Sequence, residues 1–336
     1  MRDAPPVRLE WPSRNRLRPE PAGRLTLVRR GVSASRVIEG DNLGAMAALR
    51  DQGARVMLAY LDPPFFTGRE HVHVERRRTK AGVVRRVTPA FDDRWESLDD
   101  YLAALWDRLC VARDLLAPEG CLVLHVDPKT SHYAKVLCDE IFGSRCFASE
   151  IIWRYRRWPA KTNNFQRVHD VLLRYVRDPD RPQRFRQLYE PLAESTRATW
   201  GSGRQRAVVD EQGRRRRSST TAEPSPGTPL GDVWDISIVA PVARERTGYP
   251  TQKPEALLER LVEACTEPGD LVLDPYCGSG TTLAVCARLA RDVIGIDQSP
   301  RALEITRERL RALGRAPQEE RFSPASERAP KRVRVA

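Results

Sequence analysis

Apolar residues along this chain fall into short continuous runs that alternate with stripes at helical spacing. Val56 to Leu61 is an unbroken apolar run that reads as a buried strand, with Asp62 at its C-terminal end. From about 99 to 116, Leu102, Leu105, Leu109, Ala112 and Leu116 recur at helical spacing until Pro118-Glu119-Gly120 ends the helix. A strand from Cys121 to Val126, a helix from about Thr130 to Phe142, and strands Glu150 to Tyr155 and Val168 to Val176 follow. Upstream, Arg36 to Glu39 is a short strand. Asp41 is placed to cap a helix whose apolar face is Leu43, Met46, Ala47 and Leu49. In the last third, Pro254 opens a helix with Leu257, Leu258, Leu261, Val262 and Cys265 on one face. Strand Leu271 to Leu273 then leads into a glycine loop and its helix, and strand Val293 to Ile296 ends at Asp297. Ser299-Pro300 starts the last helix and Gly314 stops it. Strands and helices in alternation predict an α/β fold with a mostly parallel sheet and helices on both faces.

Four stretches lack this pattern. Residues 1–30 read as a flexible arm, and residues 66–96, rich in charge, as a mobile loop. Residues 177–232 contain Arg214-Arg215-Arg216-Arg217 and Pro224-Ser225-Pro226-Gly227, which cannot pack a core, and read as a partly disordered insert. Residues 315–336 read as a disordered tail. Two halves of one α/β domain, 31–176 and 233–314, would then flank the insert. No internal repeat is visible.

Composition narrows the function. A chain of 336 residues is long enough for one large α/β domain and a smaller insertion. No apolar run is long enough to span a bilayer, and the charged, proline-rich start does not resemble a signal peptide. Seven cysteines without a Cys-x-x-Cys pair fit reduced thiols in a cytoplasmic protein and offer no zinc site. His71-Val72-His73 alone does not make a metal site, so none is expected. The net charge of +12 and pI near 9.7 suit a polyanionic partner. Only six of the 57 basic residues are lysine, and such an arginine excess also arises from coding bias, so charge favours nucleic acid modestly.

Two motifs carry chemistry. Asp274-Pro275-Tyr276-Cys277-Gly278-Ser279-Gly280-Thr281-Thr282 follows a strand, and its glycines let backbone approach a ligand where a Cβ would collide. Asp297, about twenty residues on, can accept from both ribose hydroxyls. The loop lacks the third glycine of a dinucleotide fingerprint and the lysine of a P-loop, losses that suit a nucleoside without phosphates. An ordinary strand-to-helix turn with packing glycines is the alternative. The other motif is Leu61-Asp62-Pro63-Pro64-Phe65. An exocyclic amine is a poor nucleophile because its lone pair is delocalised. The Asp62 carboxylate and the Pro63 carbonyl can hold the NH2 so that the pair points at an electrophilic methyl. Pro63 and Pro64 stiffen the loop, and Phe65 offers a face for an extruded base. A base inside a duplex cannot reach such a pocket, so flipping is implied. A tight turn after a buried strand is the plain alternative.

Taken in order, Gly40-Asp41-Asn42, the Asp62 motif, Trp153, His169-Asp170, Asp232-Val233-Trp234-Asp235, Tyr249-Pro250-Thr251-Gln252-Lys253-Pro254 and the Asp274 motif resemble the landmarks of the beta class of DNA amino-methyltransferases. Tyr276 stands where that class more often has Phe. The likeness covers roughly residues 36–313. It implies a circularly permuted, seven-stranded S-adenosylmethionine-dependent methyltransferase fold, entered at the third strand with the first two supplied last. It also implies that Asp62, Pro63, Pro64 and Phe65 are catalytic. Asp274, Tyr276, Gly278, Ser279, Gly280, Thr281 and Asp297 would bind S-adenosylmethionine, with Thr251 and Lys253 beside them. Asp41 would reach the cofactor's adenine, although helix capping explains it equally well.

Duplex DNA is the implied partner, its sequence read by the insert. The interleaved Trp153-Arg154-Tyr155-Arg156-Arg157-Trp158 suits phosphate contact and stacking, or an exposed sheet edge. His125 and Asp127 end another strand at the same edge of the sheet. Dimerisation is common in the class, and a cognate restriction enzyme would be encoded separately, because no nuclease or helicase motif is present. Asp at the head of the motif leans towards N6 of adenine over N4 of cytosine. A DNA-binding homologue that has lost catalysis is the reading from another class, and RNA or protein substrates rank below it.

Overall fold

The computed structural model describes residues 8–14, 21–79, 82–159, 161 and 163–325. The chain divides into two compact units, residues 1–185 with 233–336, and residues 186–232. In the larger unit the strands begin with β1 (Gly23–Arg29), β2 (Arg36–Glu39), β3 (Val56–Leu61), β4 (Glu70–Thr79) and β5 (Gly82–Asp92). They continue with β6 (Leu116–Val126), β7 (Phe147–Arg154) and β8 (His169–Val176). The smaller unit holds β9 (Tyr189–Glu190), β10 (Gly203–Val209), β11 (Arg215–Pro224) and β12 (Thr228–Pro229). The chain then returns with β13 (Val233–Asp235), β14 (Leu271–Asp274), β15 (Asp292–Asp297) and β16 (Gln318–Pro324). The helices are α1 (Asn42–Asp51), α2 (Leu98–Leu115), α3 (Ser131–Phe142), α4 (Glu194–Trp200), α5 (Glu255–Cys265), α6 (Thr281–Arg288) and α7 (Pro300–Ala312).

One sheet runs β1-β16-β2-β15-β14-β3-β6-β8-β7-β13. Its seven central strands, β2 to β7 in that order, are the expected permuted sheet. The third strand enters first, and β14 and β15, late in the chain, take the places beside β3 and β2. Pairing is parallel except where β8 lies antiparallel between β6 and β7 and where β1 joins β16. Strands β3 and β6 are buried on both faces, which is why they read as continuous apolar runs. The parallel strands β3, β14 and β15 all end at the same sheet edge, each delivering an aspartate there.

The expected unstructured stretches are where the chain departs from its sequence reading. Part of the arm forms β1, and part of the tail forms β16, which extends the sheet beside β2. Phe322 drives this docking. Its ring fills a slot over Gly44 and Gly23, where an added Cβ would lie 2.3 and 2.4 Å from it. Arg36 on β2 holds Glu320 of β16 through two bonds of 2.7 and 2.6 Å. Residues 1–7, 15–20 and 326–336 of the arm and tail lie outside the described residues.

The 66–96 stretch contains the antiparallel hairpin β4–β5 in place of a loop. Its closing end packs: Ala90 joins Tyr249, Ala302 and Ile305 in an apolar cluster that Phe91 covers. The insert likewise carries structure in the smaller unit, the hairpin β10–β11, helix α4 and the short pair β9–β12. Backbone pairing along β11 includes Arg215 and Arg216 of the arginine run. Pro118-Glu119-Gly120, expected as a helix stop, lies inside β6, and α2 ends at Leu115.

Candidate active site

A cleft of about 410 Å³ opens at the C-terminal ends of β3, β14 and β15. An open α/β sheet places its ligand crevice at this edge. Asp62, Pro63, Pro64 and Phe65 line it together with Thr251, Lys253, Asp274, Tyr276, Gly278, Ser279, Thr281 and Asp297. The fold thus brings the two motifs, more than two hundred residues apart, into one cavity. Asp41 and Gly280 each lie between two lining residues, Gly40 and Asn42 in one case and Ser279 and Thr281 in the other. Asp41 caps α1 by accepting from the Gly44 amide at 2.9 Å, and it receives Arg108 and Gln298 at 3.2 and 3.3 Å. Gly280 is left-handed with φ +74°, and a Cβ there would meet the Thr306 Oγ1 at 2.6 Å. Its glycine is required by the packing of α6 on α7.

At the glycine-loop end, backbone and carboxylates hold each other. Each Asp297 oxygen accepts one backbone amide, from Gly278 at 2.9 Å and Ser299 at 2.7 Å. Asp274 accepts the Tyr276 amide at 3.1 Å. Burial pushes the Asp274 carboxyl up to about 7, against the hydrogen bonds from Thr282 and Tyr276, and the charges of Asp62 and Asp297 add to the rise. Burial also raises Asp297. The two cations on this wall are engaged: Arg108 binds Asn42 and Asp41, and Lys253 binds Asp62. Such a set, rich in acceptors and with Arg108 and Lys253 already paired, fits a ribose diol and a cationic sulfonium and disfavours a diphosphate.

The other end is built from side chains. Lys253 Nζ donates to both oxygens of Asp62 at 2.8 and 2.6 Å and lies 4.9 Å from the centre of the Phe65 ring. An N–H donor group therefore already sits on the Asp62 carboxylate, over an aromatic face. Behind Asp62, His125 is fully buried, its Nδ1 3.7 Å from Asp62 Oδ1 and 2.8 Å from the Tyr60 hydroxyl. Its Nε2 faces Asp170 Oδ2 at 3.3 Å, and the Tyr155 hydroxyl donates to Asp170 Oδ1 at 2.9 Å. Burial alone would raise Asp170, but the hydrogen bond and charge of His125, with Lys253 and Tyr155, outweigh it and hold the carboxyl below its ordinary value.

The motif loop has a clamp that the sequence reading did not find. Asp93, just past β5, is 1% exposed. Its carboxylate accepts the amides of Phe65, Phe66 and Thr67 at 3.2, 2.8 and 2.9 Å, the Thr67 hydroxyl at 2.5 Å and the Trp95 indole at 3.1 Å. Three successive amides on one carboxylate form an anion nest. It fixes Phe66 at φ +58°, a conformation that a bulky residue adopts only when held. Thr251, at φ +57°, is a second held position on the cleft wall. Of the other residues singled out, Trp153 is buried and gives its indole N–H to the Ile236 carbonyl at 2.8 Å, whereas Trp158 is 89% exposed. Asp127 is bound by Arg167 at 2.7 Å. His71 stacks on Phe91 and His73 on Tyr249, and no cluster able to hold a metal occurs among the described residues. Among those residues, no helix is long and apolar enough to cross a membrane.

Comparison with known proteins places this geometry. The type II methyltransferase M.EcaI of Enterobacter cloacae is 30% identical, over 83% of this chain and 70% of its own. The DNA adenine methyltransferase YhdJ of Escherichia coli (strain K12) is 25% identical over 84% of each chain. The crystal structure of the M1.HpyAVI–SAM complex shares the fold, with a TM-score of 0.50 at 19% identity, over 82% of this chain and 98% of that one. The N6/N4 DNA methylase family model matches residues 56–308. With that match spanning most of the chain and both motifs, the protein belongs to the N6/N4 family of DNA amino-methyltransferases.

Proposed function

We propose that the chain transfers a methyl group from S-adenosylmethionine to N6 of an adenine turned out of duplex DNA. The observation that carries this reading is the Asp62 carboxylate with an N–H donor seated on both oxygens above Phe65, in the same cleft as the glycine loop. The amino group of a base entering over Phe65 takes the place of the Lys253 ammonium. Asp62 and the Pro63 carbonyl then orient its lone pair, while Pro63, Pro64 and the Asp93 clamp keep the loop from yielding.

At the opposite end, Asp297 accepts from the ribose hydroxyls, and Asp274 faces the cationic methionine portion. Gly278, Ser279, Tyr276 and Thr281 shape the wall, and Gly280 and Asp41 support it. When bound, S-adenosylmethionine supplies an electrophilic methyl group on a sulfonium. Lys253, released from Asp62, is free to meet the α-carboxylate. The smaller unit, residues 186–232, is the candidate reader of sequence.

Adenine is favoured by Asp at the head of the motif, and the name of the relative YhdJ points the same way. N4 of cytosine is the second reading, since the family includes both chemistries. The test is methylation of unmethylated genomic DNA with labelled S-adenosylmethionine, with nucleosides identified by mass spectrometry. N6-methyladenine is expected. N4-methylcytosine would overturn the base assignment, and no methylated base would overturn the reaction.

A further inference from the structure

We propose that a buried dyad, His125 with Asp170, takes up the proton that Asp62 collects from the methylated amine. The proposal rests on the methyl-transfer reading above. In that reaction an N–C bond forms, the C–S bond breaks with its electron pair left on sulfur, and the nitrogen must shed one N–H proton. Asp62 is the carboxylate in contact with that nitrogen. Near neutrality an imidazole is in general a better resting place for a proton than a carboxylate. The proton needs an outlet that does not pass back through the substrate.

The structure supplies one. His125 projects from the end of β6 with no exposed surface, and its Nδ1 stands 3.7 Å from Asp62 Oδ1. Asp170 on β8 faces Nε2 at 3.3 Å. An ionised Asp170 fixes the tautomer with hydrogen on Nε2, leaving the Nδ1 lone pair turned towards Asp62 and the Tyr60 hydroxyl. Protonation of Nδ1 then gives an imidazolium between two carboxylates, and the Tyr60 hydroxyl turns from donor to acceptor. The ring cannot swing away, because Phe65 and Trp153 pack on it at 5.4 and 5.6 Å.

The charged and titratable groups around it come from several elements. Tyr60 comes from β3 and Asp62 from just past its end, Asp170 from β8, and Tyr155, which braces Asp170, from just past β7. Lys253, ahead of α5, lies on the far side of Asp62. Asp127, just past the end of β6, is already paired with Arg167. With a carboxylate beside each ring nitrogen, this histidine is more than a packed core residue. It acts through Asp62 and is a positioning residue.

The test is single-turnover methyl transfer by the full chain on unmethylated duplex DNA with S-adenosylmethionine, from pH 4.5 to 8. Wild type is compared with His125→Gln and Asp170→Asn, and DNA affinity and 2-aminopurine fluorescence report binding and flipping. The wild-type rate should fall in acid with a histidine-like midpoint. In His125→Gln that limb should move to the carboxylate range. In Asp170→Asn, which keeps the imidazole but loses its carboxylate, it should move part of the way to lower pH. In both, the rate at pH 7 should drop on the order of 10²-fold with binding and flipping retained. Should His125→Gln melt early, Asp170→Asn carries the same readout, since it preserves the shape of the pair. An acid limb that stays in place in the variants overturns the dyad, as does a rate loss matched by lost flipping. A wild type that methylates no base overturns the underlying reading, which separates the two failures.

Discussion

The two ends of the cleft are built by opposite means. At the glycine loop, the main chain does the shaping: Gly278 and Gly280 take left-handed turns, and Asp297 accepts amides that would otherwise be free. At the Asp62 end, side chains do the holding, through Lys253 on Asp62, His125 on Asp170 and Asp93 on the amides of Phe65 to Thr67. The first arrangement suits one constant ligand, because nothing in it must move. The second contains a displaceable ion pair, because an ammonium occupies the acceptor that a base amine would need. A site that admits a large partner intermittently keeps its acceptor paired until that partner arrives, since an unpaired half-buried carboxylate is costly.

Four changes would break or sharpen this contrast. The largest effect is expected from Asp62→Ala, which should lower methyl transfer by at least about 10²–10³-fold, by analogy with the loss of one preorganised polar contact at a reacting centre. Next is Gly280→Ala. It adds a left-handed penalty of about 1–2 kcal/mol and overpacking against Thr306 of about 1–3 kcal/mol, so thermal or denaturant unfolding should show a clear loss of stability. Asp93→Ala follows, at about 1.5–3 kcal/mol. It should also speed amide hydrogen exchange at Phe65, Phe66 and Thr67, while an unchanged exchange rate there would remove the clamp.

The smallest effect concerns pH. Asp274 has a folded-state value of about 7, above its ordinary one. Its stabilising contribution is complete below the unfolded value and is lost as pH rises through about 7. A cationic ligand reverses the preference for the protonated form. Affinity for S-adenosylmethionine should therefore rise between pH 6 and 8, by at most tenfold per unit, and Asp274→Asn should flatten the dependence in calorimetric titration.

The parts legible in the sequence were those written in local pattern. Val56–Leu61 and Leu271–Asp274 are apolar because they are buried on both faces, and each ends in the aspartate that marks the cleft. What escaped depends on partners far along the chain. Strand β16 has Phe322 as its one large apolar side chain, and it docks through the slot over the glycines at 23 and 44 and the pairing of Arg36 with Glu320. The hairpin β4–β5 hides its alternation under charge. Asp93 is 31 residues from Asp62, and its acceptor role appears only once the hairpin has folded back. His125 was visible as a strand-end residue and Asp170 within the His169-Asp170 landmark, but their contact follows from the antiparallel placing of β8 against β6. Gly280 was read as a ligand contact, whereas its closest demand comes from Thr306.

The most direct test of the divided cleft is to measure two quantities on Asp62→Ala at once, calorimetric affinity for S-adenosylmethionine and methyl transfer to unmethylated DNA. If the two ends act separately, cofactor affinity stays close to wild type while transfer is abolished. Transfer that persists, or cofactor binding that disappears in a variant that is still folded, would contradict it.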